Sequence, residues 1–117
     1  MPHFMLLLHE STTRRPDLGP AEIQAIIARY VAWADAMRSQ GRLVAGDKLE
    51  EGGRVLRREA GKVVARDGPY GEAKELVGGY FVLEARDHDE AAELASGCPH
   101  LELGGTIELR AVQEVHE

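Results

Sequence analysis

The sequence has little of what several classes of protein need. Its single cysteine, Cys98, excludes an internal disulfide and any multi-cysteine zinc or iron–sulfur site. No apolar run approaches the roughly 20 residues that cross a bilayer, and the start of the chain lacks the basic segment and cleavage site of a signal peptide. Lysine and arginine total 14 against 20 acidic residues, which disfavours nucleic acid because phosphate binding needs a basic surface. We therefore expect a cytoplasmic protein whose partners are neither membranes nor nucleic acids.

The length and composition are those of one globular domain. The chain has 117 residues, of which 44% are apolar and 29% charged, and single domains most often contain about 100–150 residues. We therefore treat residues 1–117 as one domain with one core. The five histidines show no short metal-ligand spacing, so neither a metal nor a cofactor is expected.

Hydrophobic periodicity divides the chain into strands and helices. Apolar residues recur at three- and four-residue steps between Pro20 and Gly41, which predicts the longer helix. Asp87, with Glu90 three residues later, predicts the start of a second helix that ends at Gly97. Strands are predicted at 3–9, 42–49, 54–58, 62–66, 78–85 and 106–112. We treat the hairpin of the third and fourth strands as an insertion. The remaining order then predicts a ferredoxin-like βαββαβ α+β fold. In this fold the first strand lies in the middle of the sheet and both helices pack on one face.

The alternation of side chains divides each predicted strand between two faces. One face is uniformly apolar and is assigned to the side under the helices; it contains Phe4, Leu6, Leu8, Phe81, Leu83, Ile107 and Leu109. The other face mixes apolar with titratable side chains; it contains His3, Met5, Leu7, His9, Tyr80, Val82, Glu84, Thr106, Glu108 and Arg110. Because an apolar patch left in water usually marks a partner surface, we predict a homodimer whose sheets face each other and enclose a small-molecule cavity.

Three residues are candidates for acid/base catalysis: His9, Asp67 and Glu108. Histidine exchanges a proton near neutral pH, although a lone histidine at a strand end also serves as a hydrogen-bonded structural residue. Asp67 is either a general base or ligand-orienting carboxylate at the mouth of the cavity, or it hydrogen-bonds its own turn. Glu108 either takes part in catalysis or forms an ion pair with Arg110 that joins the two subunits.

Three further side chains are candidates for substrate binding. Arg110 can hold a carboxylate in a bidentate pair, and Tyr80 shares the face of His9. Glu75 belongs to a charge run with Glu72 and Lys74, which is ordinarily solvated, but it is expected close to the cavity.

A long motif in the second half of the chain points to a family. Asp67-Gly68-Pro69-Tyr70 is followed by Glu72-Ala73-Lys74-Glu75 and Gly78-Gly79-Tyr80. With this motif the sequence resembles the YCII-related proteins, in particular the branch named for an Asp-Gly-Pro-Phe motif, in which Tyr70 replaces the phenylalanine. The resemblance covers nearly the whole chain. It implies a ferredoxin-like subunit that forms a dimeric α+β barrel, and it adds Tyr70 as a candidate for substrate binding.

The sequence departs from the better-known branch of that family at two positions. The resemblance implies a histidine on the first helix and an aspartate near the end of the second. This chain has Tyr30 at the first position and Cys98, before Pro99, at the second. An activity based on that pair is therefore not transferred. Cys98 itself is expected to be a buried, inert thiol.

Three functions remain open on the sequence alone. The first is a cofactor-free acid/base enzyme that uses the cavity. The second is a small-molecule binding or regulatory accessory protein without turnover, since the resemblance includes proteins that accompany extracytoplasmic-function sigma factors. The third is an interaction module whose sheet face is entirely a dimer interface.

Overall fold

The computed structural model describes residues 1–11, 18–68 and 75–114 and has the predicted mixed α+β architecture. The helices and strands follow one another as β1 (His3–Ser11), α1 (Pro20–Ser39), β2 (Leu43–Lys48), β3 (Arg54–Glu59), β4 (Lys62–Asp67), β5 (Glu75–Glu84), α2 (His88–Ala95), α3 (Pro99–Glu102) and β6 (Thr106–Ala111). None of the helices in this part of the chain is both long and apolar enough to cross a membrane.

Four of the strands form one antiparallel sheet in the order β2-β5-β1-β6. The first strand is therefore central, between β5 and β6, as predicted. Leu6 is opposite Phe81 on β5 and Leu109 on β6. The ferredoxin-like fold class is confirmed.

The core lies between one face of this sheet and the helices. Leu6 and Leu83 are completely buried there, and Trp33 and Met37 of α1 pack into the same cluster. The Trp33 ring meets Phe81 edge to face, with ring centroids 4.9 Å apart. Burying a large apolar side chain contributes roughly 1.5–3 kcal/mol, so this covered face accounts for much of the fold's stability. The predicted division of the strands into two faces is correct here.

A β-bulge at Gly78 changes that alternation at one end of the sheet. Leu8 is opposite Gly79, but His9 is opposite Val77, which leaves Gly78 as the extra residue. A side chain at Gly78 would displace the carboxylate of Glu10, which is the movable end of a flexible, exposed side chain. The strand also begins at Glu75 and not, as predicted, at residue 78. Because the bulge inserts one residue, Glu75 joins the face of His9.

The inserted hairpin forms a separate two-stranded sheet. The pairing of β3 with β4 runs from Arg54 opposite Asp67 to Glu59 opposite Lys62, as the sequence predicted. Both residues of the turn, Ala60 and Gly61, have positive φ angles of 50° and 78°, as in the turns that best fit a two-residue hairpin. In the described part of the chain, no other element packs extensively against either strand.

The second helix begins as predicted, with one difference in its cap. The Glu90 N–H donates to Asp87 Oδ1 over 2.9 Å. The Glu90 carboxylate does not return to Asp87; it accepts from the Arg86 N–H (3.0 Å) and from the Arg42 guanidinium (2.6 Å). The hydrogen bond from the Arg86 N–H is the main cause that holds the pKa of Glu90 below its usual range, and the Arg42 guanidinium adds to this effect. Glu90 therefore joins the start of β2 to α2.

Candidate functional site

The face of the four-stranded sheet opposite the helices holds the candidate site, and we call it the open face. Its centre is apolar: Leu7 is opposite Tyr80 and Glu108, and Met5 is opposite Val82 and Arg110. Met5, Leu7 and Val82 are half-buried, whereas four of their chain neighbours on the covered face are almost fully buried: Phe4, Leu6, Leu8 and Leu83. The members of the open face on the described strands are His3, Met5, Leu7, His9, Ser11, Ala45, Asp47, Glu75, Val77, Tyr80, Val82, Glu84, Thr106, Glu108 and Arg110.

His9 lies between two carboxylates at one end of the open face. Its Nε2 atom is 2.9 Å from Glu108 Oε1, and its Nδ1 atom is 3.9 Å from Glu75 Oε2. The His9 side chain retains 22% of its accessible surface, so a ligand on the open face can reach it. Strand pairing brings Glu108 to His9, whereas the bulge at Gly78 brings Glu75. The structure therefore joins three of the predicted site residues in one cluster.

Arg110 extends this cluster along β6. Its Nε atom is 3.9 Å from Glu108 Oε2, so Glu108 contacts His9 through one oxygen and Arg110 through the other. This ion pair lies within one chain. The guanidinium is largely exposed and can also contact a negatively charged ligand group, because its donors form a planar fork that fits a carboxylate.

Tyr80 contacts a residue that the sequence did not identify. Its hydroxyl donates to Asp47 Oδ2 over 2.8 Å, and this hydrogen bond, with the charge of Asp47, raises the pKa of Tyr80. Asp47 is opposite Tyr80 on the edge strand β2. The predicted βαββαβ topology places β2 next to β5. The sequence therefore indicated which strand neighbours Tyr80, but not which residue of that strand is opposite it.

A buried chain of hydrogen bonds reaches His9 from the helix side. His100, only 5% exposed, has its Nε2 atom 2.8 Å from the His9 carbonyl oxygen and its Nδ1 atom 2.9 Å from the Tyr30 hydroxyl. A carbonyl only accepts, so Nε2 carries the proton and Nδ1 accepts from Tyr30. Burial is the main cause that raises the pKa of Tyr30 to about 12, which keeps this donor protonated.

His100 is the residue that sequence reasoning missed most clearly. Two signals were present: Tyr30 and Cys98-Pro99 occupy the two positions at which the family resemblance implied a catalytic pair, and His100 follows Pro99 directly. The structure brings Tyr30 and His100 together through α1 and α3, although α3 was not predicted. Cys98 is fully buried, and burial raises the pKa of its thiol, as expected for an inert cysteine.

Asp67 is the predicted catalytic residue that lies away from the His9 cluster. Asp67 ends β4, opposite Arg54, and so belongs to the hairpin sheet and not to the four-stranded sheet. Tyr70, Glu72 and Lys74 lie outside the described residues. Within residues 1–11, 18–68 and 75–114, no group of three or more histidine, cysteine, aspartate and glutamate side chains is arranged to hold a metal ion.

Comparison with known families assigns the chain to a class consistent with this architecture. The model of the YCII-related domain matches residues 3–116. The chain therefore belongs to the YCII-related domain family. Comparison with curated proteins gives no match.

Proposed function

We propose that the chain forms a homodimer whose open faces enclose a cavity for a small molecule, and that His9 is the acid/base group of a cofactor-free reaction there. The observation that carries this proposal is the imidazole of His9, held by Glu108 and close to Glu75 at the end of a half-exposed apolar sheet face. Histidine suits proton transfer because its charge changes near neutral pH.

The apolar centre of the open face supports the dimer. Met5, Leu7 and Val82 lie on strands in the middle of the sheet, where a single chain leaves them partly in water. Burial of apolar surface contributes about 25 cal/mol per Å², so a second sheet over this face is favourable. Such a second sheet also shields the end of the face where His9 and its carboxylates lie.

Each side chain of the cluster has a defined role in this proposal. Glu108 holds the His9 Nε2 atom and sets the orientation of the ring, while His9 Nδ1 exchanges a proton with the ligand. Arg110 binds a carboxylate or similar anionic group of the ligand. Tyr80, held by Asp47, contacts a polar group of the ligand. The reaction class is proton abstraction or proton return at a small organic acid.

Sedimentation and ligand binding test the proposal together. We expect a dimer at micromolar concentration and a thermal shift with at least one member of a panel of small carboxylic acids. His9→Asn should abolish turnover. His3→Asn is the matched control, because His3 lies on the same strand and face as His9 and also contacts a glutamate, Glu84 (3.2 Å). A stable monomer without ligand binding would overturn the proposal. A ligand that binds unchanged in His9→Asn and is never converted would indicate a binding protein instead.

A further inference from the structure

The hairpin packs little against the other described elements of the chain. We define the hairpin arm as residues 54–67, which comprise β3, its turn and β4. A two-stranded sheet alone is marginally stable in water, and in the described structure no other element covers it extensively. The radius of gyration is 16.5 Å, against about 13 Å for a compact chain of this length. The arm therefore projects from the body of the subunit.

One face of the arm is apolar and exposed. Cross-strand partners share a face, so the pairs Leu56–Ala65 and Arg58–Val63 lie on the same side. Leu56 is 63% exposed and Val63 58%. On the opposite side of the hairpin, Val55 and Val64 are each half-buried. The face with Leu56 and Val63 is therefore the one that lacks cover.

The charge of the arm is opposite to that of the rest of the chain. Five basic and two acidic residues give the arm a net charge of +3, whereas the remaining residues carry −9 within the total of −6. On the described strands, the open face carries four carboxylates, Asp47, Glu75, Glu84 and Glu108, and one arginine, Arg110. On the side of Leu56 the arm carries Arg54 and Arg58 against the single acidic residue Asp67, so this side is net positive and complementary to the acidic open face.

The arm begins at the end of the sheet that holds the His9 cluster. β2 ends at Lys48 and β5 begins at Glu75, at the same end as His9. The arm's strands of six residues span about 20 Å, and the four strands of the sheet are about 14 Å across. An arm of this length can cover the end of a sheet that holds the His9 cluster.

We propose that the hairpin arm of each subunit docks at the His9 end of its partner's open face, with Leu56 and Val63 against the exposed Val77 and the arm's positive charge against the carboxylates beside it. This inference rests on the proposed dimer and adds the element that closes its cavity. The surface that receives the arm is therefore the acidic open face of a second copy of this chain.

A spin label on the arm tests this contact directly. Chains with Val63→Cys carrying a nitroxide are mixed with ¹⁵N-labelled chains without a label; Cys98 is fully buried and does not compete for the reagent. We expect the nitroxide to broaden the amide signals of Leu7, Tyr80 and Glu108 in the partner. A nitroxide at Val31→Cys, on the exposed side of α1, is the control that leaves them sharp. Sedimentation of the same samples measures the dimer separately.

The results separate the two proposals. A dimer without broadening overturns the docked arm and leaves the proposed function standing, whereas a monomer overturns both. Charge gives an independent readout: Arg58→Glu should weaken the dimer about tenfold. Lys62→Glu, which makes the same charge change on the opposite face of the arm, is the matched control. Equal effects of the two substitutions would contradict docking through the face of Leu56.

Discussion

The two faces of the four-stranded sheet differ although the same strands build them. Leu6 and Leu83 on the covered face are completely buried, whereas Leu7 and Val82, their chain neighbours, are half-exposed. The covered face is completed by helices of the same chain. The open face has an apolar centre and ion pairs at its ends, and no helix among the described residues covers it. One face of this sheet therefore stabilises the subunit, and the other is available for association and chemistry.

The largest expected effect comes from breaking the covered face. Leu83→Ala removes a fully buried side chain from the core and should lower the free energy of unfolding by about 2–5 kcal/mol. Val82→Ala, the adjacent position on the open face, is the control and should cost clearly less in dilute protein. Urea unfolding measures both. Equal losses in dilute protein would contradict the division between the faces.

A smaller effect is expected from the hydrogen-bond chain that links the two faces. Tyr30→Phe removes the donor to His100 Nδ1 and leaves a buried acceptor without a partner, which should cost about 1–3 kcal/mol. Tyr80→Phe removes a hydrogen bond on the open face and should cost less, because Asp47 there is exposed to water.

The phenol absorbance of the wild type provides a second check on this chain of hydrogen bonds. One tyrosine should titrate at about pH 12, and that transition should be missing in Tyr30→Phe. Its persistence in the variant would assign the high pKa to another residue. Because the raised pKa belongs to the folded state, ionisation of Tyr30 should also destabilise the fold above pH 10, the ordinary value for the phenol.

The smallest effect is expected at Glu90 and depends on pH. The Arg86 N–H and the Arg42 guanidinium lower the pKa of Glu90 in the folded state. Its charge therefore stabilises the fold above about pH 4.5, the ordinary value, and that stabilisation is lost as the pH falls through the lowered pKa. Glu90→Gln should lower the melting temperature at pH 7, and the difference should disappear in acid.

Glu84→Gln supplies the control for this prediction on the open face. The Glu84 carboxylate contacts the partly exposed His3 at 3.2 Å, so its substitution should change the melting temperature at pH 7 less than Glu90→Gln does. A larger loss for Glu84→Gln would show that contacts on the open face contribute more to the single subunit than the burial of its side chains indicates.

Much of the fold could be predicted because its signals are local. The periodicity of α1, the capping residue Asp87 and the Ala60-Gly61 turn each specify structure within a few residues. The candidate site was predictable in part, since alternation alone placed His9, Tyr80 and Glu108 on one face. Glu75 reached that face only through the bulge at Gly78, where β5 has one residue more than β1. Nothing in the local pattern of β5 specifies that extra residue.

The amino-acid pattern alone specified the order of the strands and of the two longer helices, the covered and open sides of the four-stranded sheet, and the acidic charge of the chain. The physical reason is that alternation, helical period and capping act between neighbours along the chain. Only the tertiary structure decided which distant groups meet: Tyr30 is 70 residues from His100, and Tyr80 is 33 residues from Asp47. Such contacts depend on strand order, on one bulge and on the packing of α3, which no local pattern encodes.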